Sequence, residues 1–141
     1  LVINGPNLNN LGKREPGYYG VKTLTDIEDL IQKKAQDLDT LVEFFQSNHE
    51  GAIVDCIQTE AQDADGIVIN AGALTHYGIS LRDALADSRL PFIEVHLSNI
   101  HARETFRHHS VVTPHAVEVV AGHGVDGYRM ALDVLVDHLG Q

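Results

Sequence analysis

Residues 1–20 read LVINGPNLNNLGKREPGYYG. The run Leu1-Val2-Ile3 is short and wholly apolar, as a strand buried on both faces is. It breaks at once into Asn4-Gly5-Pro6-Asn7, where a Gly, a Pro and two Asn end regular structure. Asn7, Asn9, Asn10, Lys13, Arg14, Glu15, Tyr18 and Tyr19 follow before any helical periodicity begins. Connections in compact domains are mostly about 4–6 residues, and much longer ones tend to be lids or binding loops. The spacing therefore predicts a flap from Gly5 to Val21 that carries a cation and a phenol over a pocket.

Outward from that stretch the chain alternates. Thr25 and Glu28 have the spacing of a reciprocal capping box, opening a helix to about Leu38 with Ile27, Leu30, Ile31, Lys34 and Leu38 near one face. Leu41–Phe45 reads as a second strand. Ser47 and Glu50 repeat the capping pattern ahead of a helix to about Ala61, on which Cys56 reads as core filler. Asp65–Asn70 is a third strand, followed by a helix ending near Ala86. Pro91–Leu97 is a fourth strand, 101–109 a charged segment and Ala116–Ala121 a fifth strand. A last helix spans Asp126–Leu139.

Apolar strands separated by helices imply a parallel sheet covered on both faces. Five strands in 141 residues point to a flavodoxin-like doubly wound α/β fold, order 2-1-3-4-5, in a single domain over 1–141. Such sheets bind ligands outside the carboxyl ends of their strands. Asn4 and Asn7, Asn70 through His76, and His96 through Ser98 all fall at those ends, and we expect them to converge on one pocket.

Composition narrows the function classes. Ten Lys and Arg against twenty Asp and Glu give a net charge of −10, which disfavours nucleic acid as a partner. A small anion remains compatible if a few Arg converge. No apolar run approaches the roughly 18 residues of a membrane span, and the start carries no signal-peptide pattern. The chain opens on Leu1 rather than Met, leaving room for a few residues ahead of the first strand. The lone Cys56 permits no internal disulfide and fits a cytoplasmic home. Gly122-His123-Gly124-Val125-Asp126-Gly127 matches G-x-G-x-x-G, but only one helix remains after it. The later strand and acidic residue that would hold a ribose have no chain to form from, so these glycines read as a tight turn.

Several residues have the chemistry of a reaction site. Glu94 and His96 are two apart on a strand, so their side chains share a face. A carboxylate there can fix the imidazole tautomer and raise its basicity, suiting a general acid. After His96, the turn at Leu97-Ser98-Asn99 offers backbone N–H groups and a hydroxyl to a carboxylate. Arg103 and Arg107 would share a face if their segment were helical, and Arg14 could add a third cation. Glu104 and His108 read as a solvated charged turn. Tyr19 could act as a base near neutral pH only if cations such as Arg14 and Arg103 lower its pKa, and could equally be a packing aromatic. The histidines lack metal-site grammar, no G-x-S-x-G elbow is present, and no Lys falls at a strand end where Schiff-base chemistry would need it.

Three stretches carry a resemblance: NGPNLNNLGKREPGYYG at 4–20, INAGALTHYGISLRDAL at 69–85 and IEVHLSNIHARETFRHHS at 93–110. Together with the AGHGVDGY turn they resemble type II 3-dehydroquinate dehydratase over nearly the whole chain. The resemblance implies a flavodoxin-like fold and dehydration of 3-dehydroquinate to 3-dehydroshikimate, the third shikimate-pathway step, with no metal, Schiff base or cofactor. It implies Tyr19 as the base beside the ketone, activated by Arg14 and Arg103. Asn7 would hold the water that stabilises the enolate, and His96, supported by Glu94, would protonate the leaving hydroxyl. Asn70, His76, Arg107, the Leu97 and Ser98 amides and the Ser98 hydroxyl would hold the carboxylate and ring hydroxyls. Asp83 would reach the site of a neighbouring subunit, in trimers grouped into a dodecamer. Asn10 stands where relatives often carry a larger apolar or basic residue, which bears on flap contacts rather than on the chemistry.

Two other functions compete. A flavodoxin-like nucleotide- or flavin-binding module would need a phosphate loop rich in Ser, Thr and Gly after strand 1, and GPNLNNLG fits that poorly. A purely structural protein of this fold gives no reason for Arg14, Tyr19, Asn70, His76, His96 and Arg107 to gather at strand ends. Visible flavin absorbance in purified protein would favour the first of these.

Overall fold

The structure, a computed structural model, describes residues 1–13 and 21–141. Five strands form one parallel sheet in the order β2-β1-β3-β4-β5: β1 Val2–Asn4, β2 Phe44–Gln46, β3 Ile67–Asn70, β4 Phe92–His96 and β5 Glu118–Ala121. Among the described residues the α-helices are α1 Leu24–Asp37, α2 Glu50–Glu60, α3 Ile79–Ser88 and α4 Asp126–Leu139. The flavodoxin-like strand order is as expected from the sequence, and most strands are shorter at their ends than the apolar runs that announce them.

The sheet separates two apolar layers. On one face Ile27, Ile31 and Ala35 of α1 and Tyr128, Leu132 and Leu135 of α4 pack on Val2, Val68, Ile93 and Val95. On the other, Ile53 and Ile57 of α2 and Leu81 and Leu85 of α3 pack on Ile3, Ile67, Ile69 and Phe92. Successive strand residues point to opposite faces, so β1 and β3 need apolar residues at every position, and have them up to their last residue. Each ends on a buried Asn, and Asn4 and Asn70 are register partners. Cys56 is half-buried on α2 rather than a core residue, and burial raises its thiol pKa.

Local signals settle differently from expectation at the helix starts. Thr23, not Thr25, caps α1: its Oγ1 accepts from the Asp26 N–H (3.2 Å) while Asp26 Oδ2 accepts from the Thr23 N–H (2.9 Å). The same Thr-x-x-acid pattern occurs in two overlapping registers, and the extended backbone of Thr23 selects the earlier one. Lys34 is not on the core face; it pairs with Asp133 of α4 at 3.0 Å, and Ala35 takes the buried position. Ser47 and Glu50 form no box. Ser47 Oγ accepts from the His49 N–H (3.0 Å), and Glu50 reaches across to accept from the Leu81 N–H at the start of α3 (3.0 Å). That helix begins without a cap of its own, so Glu50 satisfies one of its orphan donors.

The described part of the expected flap, Gly5–Lys13, is a packed turn. Leu8–Asn10 form one 3₁₀ turn, and Leu8 and Leu11 are buried in the α1/α4 layer. Apolar side chains at this spacing tie the segment to the core beside α1. Among the described residues, no helix is long and apolar enough to cross a membrane.

Candidate active site

At the carboxyl ends of β1, β3 and β4 a cavity of about 120 Å³ is lined by Asn7, Asn70, His76, His96, Leu97, Ser98, Arg103 and Arg107, with Pro6, Leu8, Gly72, Ala73 and Ile100. The strand-end polar clusters therefore meet, except that Asn4 lies behind the wall. Arg14 and Tyr19 lie outside the described residues. Asp83 is exposed on α3 and does not line its own chain's cavity.

His96 and Glu94 pair through His96 Nε2 and Glu94 Oε2. Both are buried, Glu94 completely. The carboxylate also accepts from the hydroxyls of Thr75 (2.8 Å), Ser110 (2.9 Å) and Thr113 (2.6 Å). Burial alone pushes the Glu94 carboxyl upward. The His96 hydrogen bond and charge, then the Thr113 and Thr75 hydroxyls, outweigh it and hold the group below its ordinary value. The ring nitrogen left for a ligand is His96 Nδ1. Sequence spacing points to the Glu94–His96 pair but not to the three hydroxyls, Thr75 coming from the turn after β3 and Ser110 and Thr113 from the connection between β4 and β5. Ser110 Oγ further accepts from the Thr113 N–H (3.2 Å), so the loop is shaped around the carboxylate.

His76 ends the turn after β3. Its Nδ1 bonds the His109 carbonyl oxygen at 2.7 Å. A carbonyl only accepts, so Nδ1 carries the proton, and a neutral His76 presents Nε2 as an acceptor. Burial, with the His96 and Arg107 charges, lowers its pKa against the His109 contact, which favours that neutral form.

The 101–109 segment is not one α-helix. Two 3₁₀ turns, Ile100–Ala102 and Thr105–Arg107, flank extended backbone at Arg103 and Glu104, yet both Arg103 and Arg107 line the cavity. Glu104 and His108 have fixed partners instead of only solvent. Arg107 Nε donates to Glu104 Oε2 (2.6 Å), and His108 Nε2 donates to the Arg103 carbonyl oxygen (2.8 Å).

Asn7 sits in a left-handed conformation at φ 70°, which Asn tolerates better than most residues. Asn48 Oδ1 accepts from the Asn7 N–H (2.9 Å) and from Gln46 Nε2 (3.2 Å), and Gln46 Nε2 also reaches the Gly5 carbonyl (3.2 Å). The end of β2 thus holds the Asn7 turn, a role that nothing in the β2 pattern announces. Gly5 is required where this turn meets β3, because a Cβ there would lie 2.4 Å from the Ala71 carbonyl oxygen. The G-x-G-x-x-G stretch is the tight turn expected, with Gly124 N–H donating to the Leu97 carbonyl oxygen (3.0 Å).

The family model for class II dehydroquinases matches residues 1–136. A 3-dehydroquinate dehydratase from a Synechococcus strain is 55% identical over 139 residues, 99% of this chain and 95% of the relative. The crystal structure of a type II dehydroquinase from Butyrivibrio crossotus superposes with a TM-score of 0.92 at 49% identity, over 95% of this chain and 94% of that one. A second, from Propionibacterium acnes, gives 0.92 at 44% identity over 96% and 94%. The match along nearly the whole chain places this protein in the class II dehydroquinase family.

Proposed function

We propose that this chain is a hydro-lyase that removes water from 3-dehydroquinate to give 3-dehydroshikimate, by a base, an enolate and a histidine acid. The observation that carries the reading is His96 in the cavity wall, paired from behind with the fully buried Glu94, beside Asn70, Ser98 and two arginines. A β-hydroxy ketone needs a base for its α-proton, charge stabilisation for the enolate and an acid for the departing hydroxyl. Tyr19 takes the α-proton, with Arg14 and Arg103 favouring its phenolate. Asn7 holds a water against the enolate oxygen. The enolate collapses to the enone as the hydroxyl leaves with a proton from His96 Nδ1, and the released water balances the reaction.

The Glu94 carboxylate supports this by holding the imidazole in place through its Nε2. The Ser98 hydroxyl, the Leu97 and Ser98 amides and Arg107 suit the substrate carboxylate, while Asn70 and the His76 Nε2 lone pair suit ring hydroxyls. Asp83, exposed on α3, is assigned to a neighbouring subunit's site in a trimer-built dodecamer, and the enzyme to the cytoplasm.

The test is the ultraviolet absorbance of the conjugated enone when the protein meets 3-dehydroquinate, beside a Tyr19→Phe variant. Enone from the parent and its near-loss in the folded variant supports both the reaction and the base. Surviving activity in the variant removes Tyr19 as base, and no enone from folded parent overturns the reading.

A further inference from the structure

We propose that Tyr128 is a positioning residue for the dehydration site, its hydroxyl fixing which way the Asn70 side-chain amide faces at the cavity wall. The inference rests on the dehydratase reading above.

Tyr128 stands in the first turn of α4, and none of its surface is exposed. Its ring packs in the α1/α4 layer, where a Phe would serve as well. The hydroxyl, however, lies between the ends of β1 and β3. It donates to Asn4 Oδ1 (2.5 Å) and accepts from Asn70 Nδ2 (3.0 Å). A phenol has one proton, and Asn4 takes it. What faces Asn70 is therefore a lone pair, which only the NH₂ end of the amide can meet.

The other end of the amide agrees. Asn70 Oδ1 accepts from the Gly72 N–H at 3.1 Å. A flipped amide would set Oδ1 against an oxygen whose proton is committed, and NH₂ against a backbone donor. Both contacts would become repulsive, the one with Tyr128 in a place where water cannot repair it. Tyr128 and Gly72 thus leave one amide orientation, and with it one free N–H and one free lone pair on Asn70. Burial pushes the phenol pKa well above its ordinary range despite the Asn70 hydrogen bond, so the proton this relay needs stays in place.

The arrangement also gives the G-x-G-x-x-G turn a purpose beyond reversing the chain. Its Gly124 N–H is anchored to Leu97 at the end of β4, and four residues later Tyr128 reaches the ends of β1 and β3. One turn therefore registers α4 against three site-bearing strands.

The experiment is a double-mutant cycle on enone formation from 3-dehydroquinate, with Tyr128→Phe, Asn70→Ala and the double variant. KM and kcat are read separately, and circular dichroism confirms the fold. Tyr128→Phe is expected to raise KM or lower kcat/KM by about three- to tenfold, the scale of one lost neutral hydrogen bond. The double variant should be no worse than Asn70→Ala, because the phenol has nothing left to orient. Unchanged kcat/KM in Tyr128→Phe, or penalties that multiply, overturns the assignment, since a merely structural tyrosine would act independently of Asn70. If Tyr128→Phe does not fold, Asn4→Ala frees the phenol proton and must show the same non-additivity with Asn70→Ala; multiplying penalties there overturn it too. An active parent with multiplying penalties defeats this inference alone, whereas a folded parent that makes no enone defeats the dehydratase reading with it.

Discussion

Glu94 collects side-chain hydrogen bonds from His96, Thr75, Ser110 and Thr113 with none of its own surface exposed. A carboxylate so placed must be ionised and fully partnered, or the fold would favour an apolar residue there. This has a consequence for acid stability. The Glu94 pKa lies below its ordinary 4.5 in the folded protein, so the unfolded chain binds the proton more readily. Its stabilising contribution is present above about pH 4.5 and is lost as pH falls through the lower folded value. Urea midpoints measured from about pH 5 to pH 3 should therefore fall more steeply for the parent than for Glu94→Gln. Equal slopes would contradict the account. At this scale the Glu94–His96 pair was legible because a strand has a period of two. The three hydroxyls were not, since Thr75, Ser110 and Thr113 come from loops whose meeting is a product of the whole fold. Tyr128 was hidden differently: its ring is core, and nothing in the pattern of the last helix speaks of its hydroxyl.

Elements settle between local options that the chain offers more than once. Thr23 and Thr25 each have an acidic residue three positions on, and only the first pair closes. Thr23→Ala should lower stability by about 1 kcal/mol, the usual loss for a Ser or Thr cap, and Thr25→Ala by clearly less. Thermal melts of the two variants check this, and a reversed order would place the helix start elsewhere. The 101–109 segment makes a similar point. Four-residue spacing would align Arg103 and Arg107 on a helix, yet two short turns bring both to the cavity anyway. The His108–Arg103 and Arg107–Glu104 bonds explain why the turn holds without helical hydrogen bonds through its middle. Polarity in a short irregular segment says which side chains are available, and the tertiary partners decide where they point.

Across the whole molecule, the parallel order β2-β1-β3-β4-β5 is what makes distant sequence stretches one site. α1 and α4 pack on one face of the sheet and α2 and α3 on the other, leaving the carboxyl ends of β1, β3 and β4 open together. This level was the most legible, because runs of Val and Ile with polar terminal residues name both the strands and the end at which ligands gather. The small cavity there is lined by His96, which the buried Glu94 carboxylate backs, and by Arg103 and Arg107. The most direct measurement is the initial rate of enone formation from 3-dehydroquinate by the parent and by His96→Gln, compared at equal folded concentration. The account predicts a rapid rise in absorbance for the parent and a fall of at least about 100-fold in the variant, the contribution of a positioned general acid. A variant within a few-fold of the parent would contradict the assignment of His96 as the proton donor.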